Sequence, residues 1–83
     1  MFSMKKEEII EKLQEIFVDV FGDENIRITE ETSAEDIAAW DSLTNISILA
    51  AIQDEFAVTF EIDEIVVMKN VGDMINSIML KLQ

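Results

Sequence analysis

The 83-residue sequence contains no Cys and no His. Without Cys there is no disulfide, no thiolate metal site and no thiol nucleophile. Without His the chain lacks the usual general base at neutral pH and the commonest zinc ligand. A self-sufficient hydrolase, a redox protein and a zinc site are therefore poor readings of it. Pro is absent as well, and the only glycines are Gly22 and Gly72, so internal breakers are scarce. Positive charge is thin: 6 Lys and Arg stand against 18 Asp and Glu, for a formal net charge of −12. That field repels nucleic-acid phosphate and anionic lipid and attracts basic surfaces, so no nucleic acid is expected as a partner. No apolar run is long enough for a signal peptide or a membrane span, and a cytoplasmic monomer is the expectation.

What the chain does have is a core. Hydrophobic residues make up 49% of it, too many for disorder despite the charge. Its length fits a single domain over residues 1–83. Ile9, Ile10, Leu13, Ile16, Phe17, Val20 and Phe21 recur at three- and four-residue steps and predict a first helix, with Gly22 as its left-handed stop. Glu8, Glu11, Lys12, Glu15 and Asp19 fall on the opposite face. Between Asp23 and Asp41 the period fails, leaving a long loop with Ile26, Ile28, Ile37 and Trp40 as anchors. Ser33-Ala34-Glu35-Asp36 has the spacing of a helix-start cap, so one short turn is expected at Asp36 to Ala39.

A second helix is predicted from Ser42 to Phe56, with Ile48, Leu49, Ile52 and Phe56 as its core stripe. Leu43, Ile46 and Ala50 lie outside that stripe, and docking of a partner is the favoured reading of their apolar surface. Val58 to Phe60 reads as extended loop. Ile62 to Lys69 is expected to be a short helix with Ile65, Val66 and Met68 inward. Asn70 is a good N-cap for a last helix striped by Val71, Met74, Ile75, Ile78, Met79 and Leu82. The predicted fold class is all-α: a four-helix bundle of three longer helices and one short third helix, with a long loop between helices one and two.

The tripeptide Asp41-Ser42-Leu43 sits where the long loop meets the second helix. Composition alone makes an ordinary helix cap the commoner reading of such a Ser. The whole chain, however, resembles the acyl carrier protein family. Its length, its amphipathic first helix and its long loop all fit, as do Asp54-Glu55-Phe56 closing helix two, the short third helix and the acidity. The resemblance implies that Ser42 accepts 4′-phosphopantetheine from coenzyme A, that Asp41 helps to position it, and that the arm's thiol holds acyl or aminoacyl groups as thioesters. It implies a non-catalytic carrier whose partners are a phosphopantetheinyl transferase, an acyl- or aminoacyl-loading ligase, and acyl-using enzymes with basic docking surfaces. Leu43, Ile46, Ala50, Asp54, Glu55, Asp63 and Glu64 would make that docking face, with Glu61 near it. No catalytic residue and no metal ligand is assigned, since Asp23-Glu24-Asn25 lacks the spacing of a calcium loop.

Two departures from the family pattern refine this. Carriers of fatty-acid synthesis usually show acids where this chain has Thr44, Ser47 and Gln53, which implies fewer salt bridges and more contact through Leu43, Ile46 and Ala50. Peptidyl carriers usually place Gly-Gly ahead of the motif, where this chain has Ala39-Trp40, so it looks more like specialised stand-alone carriers. If cargo is sheltered inside, Ile48, Ile52, Phe60, Val66, Met68, Ile75 and Met79 would line the space, although a plain core explains each of them. An aminoacyl or peptidyl carrier, and an acidic helical interaction module without a prosthetic group, stay open as alternatives. A hydrolase using Ser42 has no base to support it.

Overall fold

In the computed structural model, which describes residues 4–82, the apolar stripes become four helices. These are α1 (Lys6–Phe21), α2 (Ser42–Phe56), α3 (Ile62–Val66) and α4 (Val71–Leu82). Ile9, Leu13 and Phe17 of α1 are wholly buried, as their spacing requires. Gly22 then takes φ of 64° and returns its N–H to the Val18 carbonyl at 2.8 Å, ending the helix. On α2 the buried residues are Ile48, Leu49, Ile52 and Phe56; on α4 they are Val71, Met74, Ile75 and Ile78. α1 packs against both α2 and α4, which brings the three stripes into one core. The all-α bundle with a short third helix is the fold observed.

The long loop between α1 and α2 is tied down by polar groups rather than by periodic packing. Gln14 on α1 works as a substitute strand: its amide Nε2 donates to the Ile26 carbonyl, and its Oε1 accepts the Ile28 N–H at 3.0 Å. That lets Ile28 be buried without orphaning its backbone donor. Further on, the start of α4 is satisfied by the loop. Val71 N–H donates to the Thr32 carbonyl at 2.9 Å, and Gly72 N–H donates to the Glu30 carbonyl at 2.8 Å. An isolated antiparallel pairing joins Ser33 and Asn70 there. These are helix N–H groups with no partner inside their own helix.

Gly72 is needed for that close approach. A Cβ at this position would sit 3.0 Å from the Glu30 carbonyl oxygen and 3.3 Å from Asn70 Oδ1. Ala is the better helix former by about 0.5–1 kcal/mol, but crowding a backbone acceptor costs about 1–3 kcal/mol. We therefore expect Gly72→Ala to lower Tm by roughly 4–8 °C, the effect of a net loss of about 1 kcal/mol in a domain this small. A thermal melt that rises instead would show that the loop yields freely.

The structure corrects three expectations. The third helix is shorter than the predicted Ile62–Lys69: it ends at Val66, and a turn from Met68 N–H to the Ile65 carbonyl (3.1 Å) follows. Val66 does not face inward. It is 64% exposed, as Val67 is 63% and Ile62 78%, while Ile65 and Met68 turn toward the core. A helix of one and a half turns has only a narrow buried edge, and Ile65 occupies it. Val66 is therefore removed from the cargo-lining set, and Ile48, Ile52 and Ile75 from the same set are fully buried core. Finally, the single turn expected at Asp36 to Ala39 is two turns, Ser33–Asp36 and Ile37–Trp40, each closed by one backbone hydrogen bond.

Candidate functional site

The N-terminus of α2 is built by Asp41 and not by Ser42. Asp41 is the N-cap, in extended conformation, and its Oδ1 accepts the N–H groups of Leu43 and Thr44, both at 3.0 Å. Thr44 answers: its Oγ1 accepts the Asp41 N–H at 2.8 Å and donates to the Ala39 carbonyl at 2.9 Å. This is a reciprocal capping box in which Thr stands where Glu or Gln is usual. The reading of Ser42 as an ordinary N-cap is thereby corrected. Ser42 is the first helical residue, is exposed, and its hydroxyl joins none of the hydrogen bonds among the described residues. A hydroxyl with no internal partner and an open approach is available to an incoming enzyme.

Asp41 is held below the usual carboxylate range, chiefly by the Thr44 N–H, with the Thr44 hydroxyl and the Leu43 N–H adding to it against a smaller desolvation. A depressed folded value means that the carboxylate stabilises the fold above its unfolded value, near 3.9, and that this is lost as pH falls through the folded value. Asn caps a helix as well as Asp does but does not titrate. We expect Asp41→Asn to keep the neutral-pH melt and to flatten the acid limb below about pH 4. Asp41→Ala should lower Tm at pH 7 by roughly 4–8 °C, the size of a lost cap. Melts of the three proteins from neutral to acid pH measure both.

The loop delivers this cap through Trp40. Its ring stacks edge-on to Phe17, with centroids 5.1 Å apart and planes at 88°. Its indole N–H donates to Asn45 Oδ1 at 2.9 Å. Trp40 is thus fixed on one side to α1 and on the other to the first turn of α2, which sets where Asp41 and Ser42 begin. Trp40, Asp41, Ser42 and Asn45 line an open cleft of about 350 Å³ whose far wall is Met68 and Lys69, between α3 and α4. An arm linked through a phosphodiester fits here. The Ser42 hydroxyl is exposed, and the cleft beside it has an apolar Met wall and a cationic end.

Residues 11–78 match the family described as phosphopantetheine attachment site. That match covers most of the chain. This chain belongs to the acyl carrier protein family. An acyl carrier protein of Petrotoga mobilis is 34% identical over 79 residues, covering 95% of this chain and 93% of that one. One from Lactococcus lactis subsp. cremoris is 43% identical over 67 residues, covering 81% and 88%. The solution NMR structure of holo acyl carrier protein from Geobacter metallireducens superposes with a TM-score of 0.83 at 38% identity, covering 88% of this chain and 84% of that one. The chain is accordingly a carrier that holds acyl groups as thioesters on a covalently attached 4′-phosphopantetheine arm.

Of the acyl carrier protein's expected docking residues, Leu43 and Ile46 are 76% and 64% exposed, and Ala50 is exposed beyond them on α2. Asp54 and Asp63 are also exposed. Glu55 and Glu64 are engaged within the chain: Glu55 pairs with Lys12 of α1 at 3.1 Å, and Glu64 with Lys81 of α4 at 2.8 Å. Glu64 also accepts the Glu61 N–H at 2.7 Å, and that bond, ahead of Lys81, holds its carboxyl below the ordinary range. Two of the departures noted in the sequence have local structural duties. Thr44 closes the capping box, and Gln53 Oε1 accepts the Phe60 N–H at 2.9 Å. Asn45 and Lys69, which line the cleft, were not among the residues expected from the sequence. No spacing rule links them to Ser42, although the D-x-x-T pattern could have marked Thr44.

Proposed function

We propose that Ser42 bears the phosphopantetheine arm. The observation that carries this reading is the division of labour at the start of α2: Asp41 does all the capping, which leaves the Ser42 hydroxyl exposed beside a cleft. A phosphopantetheinyl transferase supplies the base and magnesium that the carrier lacks. Ser42 Oγ bonds to the phosphorus next to pantetheine in coenzyme A, the bond to the adenosine-side phosphate breaks, and the hydroxyl proton goes to the transferase. Asp41 positions Ser42 by holding the first turn of α2. Once attached, the arm's thiol carries acyl or aminoacyl cargo loaded by a ligase. The carrier works in the cytoplasm as one folded domain.

Docking of basic enzyme surfaces falls to Leu43, Ile46 and Ala50, with Asp54 and Asp63 as acids that join no ion pair among the described residues and Glu55 and Glu64 as acids that must first leave Lys12 and Lys81. No helix among the described residues is long and apolar enough to cross a membrane. The test is intact mass after incubation with coenzyme A, magnesium and a broad-specificity transferase, followed by digestion to locate the added group. One phosphopantetheine on the peptide containing Ser42 supports the reading. An unchanged mass on folded protein, with a control carrier loaded in parallel, overturns it in favour of an acidic interaction module.

A further inference from the structure

We propose that Lys69 and Asn45 hold the phosphodiester through which the arm joins the carrier; the inference rests on Ser42 being the point of attachment. Loading Ser42 places a new anion beside the Asp41 carboxylate in a chain already at −12. A helix N-terminus normally compensates such an anion with its free N–H groups. Here the Leu43 and Thr44 N–H groups are already committed to Asp41 Oδ1, each at 3.0 Å. Only the Ser42 N–H of that turn has no partner among the described residues, so a phosphodiester gains from further donors, and the cleft at Ser42 contains two.

Lys69 is the only cation lining that cleft. Three of the chain's 6 basic residues, Lys6, Lys12 and Lys81, are occupied by Glu30, Glu55 and Glu64. Lys69 takes part in none of these pairs among the described residues, while its backbone is anchored by its N–H donating to Asp73 Oδ2 at 2.7 Å. Asn45 supplies the second donor for a reason of hydrogen-bond chemistry. An indole N–H can only donate, so the partner it meets at 2.9 Å must be the Asn45 carbonyl oxygen. That fixes the amide and leaves its NH₂ for another acceptor. One ammonium and one amide suit two phosphate oxygens, the charged bond being the stronger. They are positioning residues: they limit the swing of the arm at its root and make no contact with the reacting thioester.

The test is a double-mutant cycle between loading and the side chains, with every protein loaded to completion and checked by intact mass. Wild type, Lys69→Gln, Lys69→Arg, Asn45→Asp and, as a remote control, Lys12→Gln are melted in apo and holo form at low salt. Asn45→Asp keeps an acceptor for Trp40 and replaces the donor by an anion. The holo-minus-apo difference in Tm should fall by about 1–5 °C in Lys69→Gln and in Asn45→Asp. It should be retained in Lys69→Arg and Lys12→Gln. The loss should vanish near 1 M salt, where screening acts within about 3 Å. The ³¹P resonance of the arm should move in the same two variants only. Full loading with equal Tm differences and an unmoved ³¹P line in all five proteins overturns the Lys69–Asn45 cradle and leaves Ser42 as the attachment point. Failure of wild type itself to load overturns the attachment and, with it, this inference.

Discussion

Ser42→Ala should abolish loading completely while leaving the fold intact. Both halves follow from the structure of the α2 start. The variant lacks the only hydroxyl among the residues that line the cleft, so with Ser42 as the attachment point no phosphopantetheine should be added and carrier function should be lost. Were Ser42 the N-cap, the same change would also cost about 0.5–2 kcal/mol. Asp41 holds that role, and Ser42 is an exposed first-turn residue where Ala is the better helix former. The stability change should therefore stay within about 0.5 kcal/mol, a Tm shift of no more than about 4 °C. Intact mass and a thermal melt of the same sample read the two halves independently. A mass gain in Ser42→Ala would move the attachment point elsewhere. A drop in Tm of 4–8 °C or more, the size of a lost cap, would mean that Ser42 helps to cap after all.

The largest loss of stability should come from Phe17→Ala. Phe17 is fully buried on α1 and sits at the centre of an aromatic cluster, 5.1 Å from the Trp40 ring and 5.8 Å from that of Phe21. Removing a buried Phe side chain costs about 3–5 kcal/mol, by lost transfer and by the cavity left behind. A chain of this size has about 4–12 kcal/mol in total. Tm should fall by at least about 12 °C. Because Trp40 also orients the first turn of α2, the variant should load slowly even at temperatures where it remains folded. Trp40 is the sole Trp of the sequence, so its fluorescence reports the loosening directly. Phe17→Leu, which refills most of the space, should recover more than half of the loss in Tm. A Phe17→Ala melt within about 3 °C of wild type would show that the loop is held by Gln14 and α4 alone.

Much of the architecture could be read from residue spacing because helices are local objects. The stripes of α1, α2 and α4, the Gly22 stop and the Asn70 start depend on residues three or four apart, and each lies where its spacing placed it. The place of Asp41, Ser42 and Leu43 at a helix start was readable for the same reason, since they are neighbours in the chain. Reading failed where a short segment must choose a face. Ile65 and Val66 are adjacent and equally apolar, and only the packing of α3 decides that Val66 goes out. It also failed to separate two acceptable caps: Asp41 and Ser42 are both good N-cap residues, and the Thr44 reply selects Asp41.

By itself, then, the sequence determined the class of protein, its helices, its charge and the place of the hydroxyl proposed to carry the arm. The helices and the charge follow from composition and from contacts within one turn, whereas the class and the role of the hydroxyl come from the resemblance of the whole chain to a family. Tertiary structure decided the surroundings of that hydroxyl. It brought Met68 and Lys69 across to Ser42, turned the Asn45 amide with Trp40, and closed the start of α4 on the Glu30 and Thr32 carbonyls. Most of those pairings join residues far apart in the chain, and no local period encodes them. They arise because packing three apolar stripes into one core sets the loop's polar backbone against the start of α4, where buried groups must find partners.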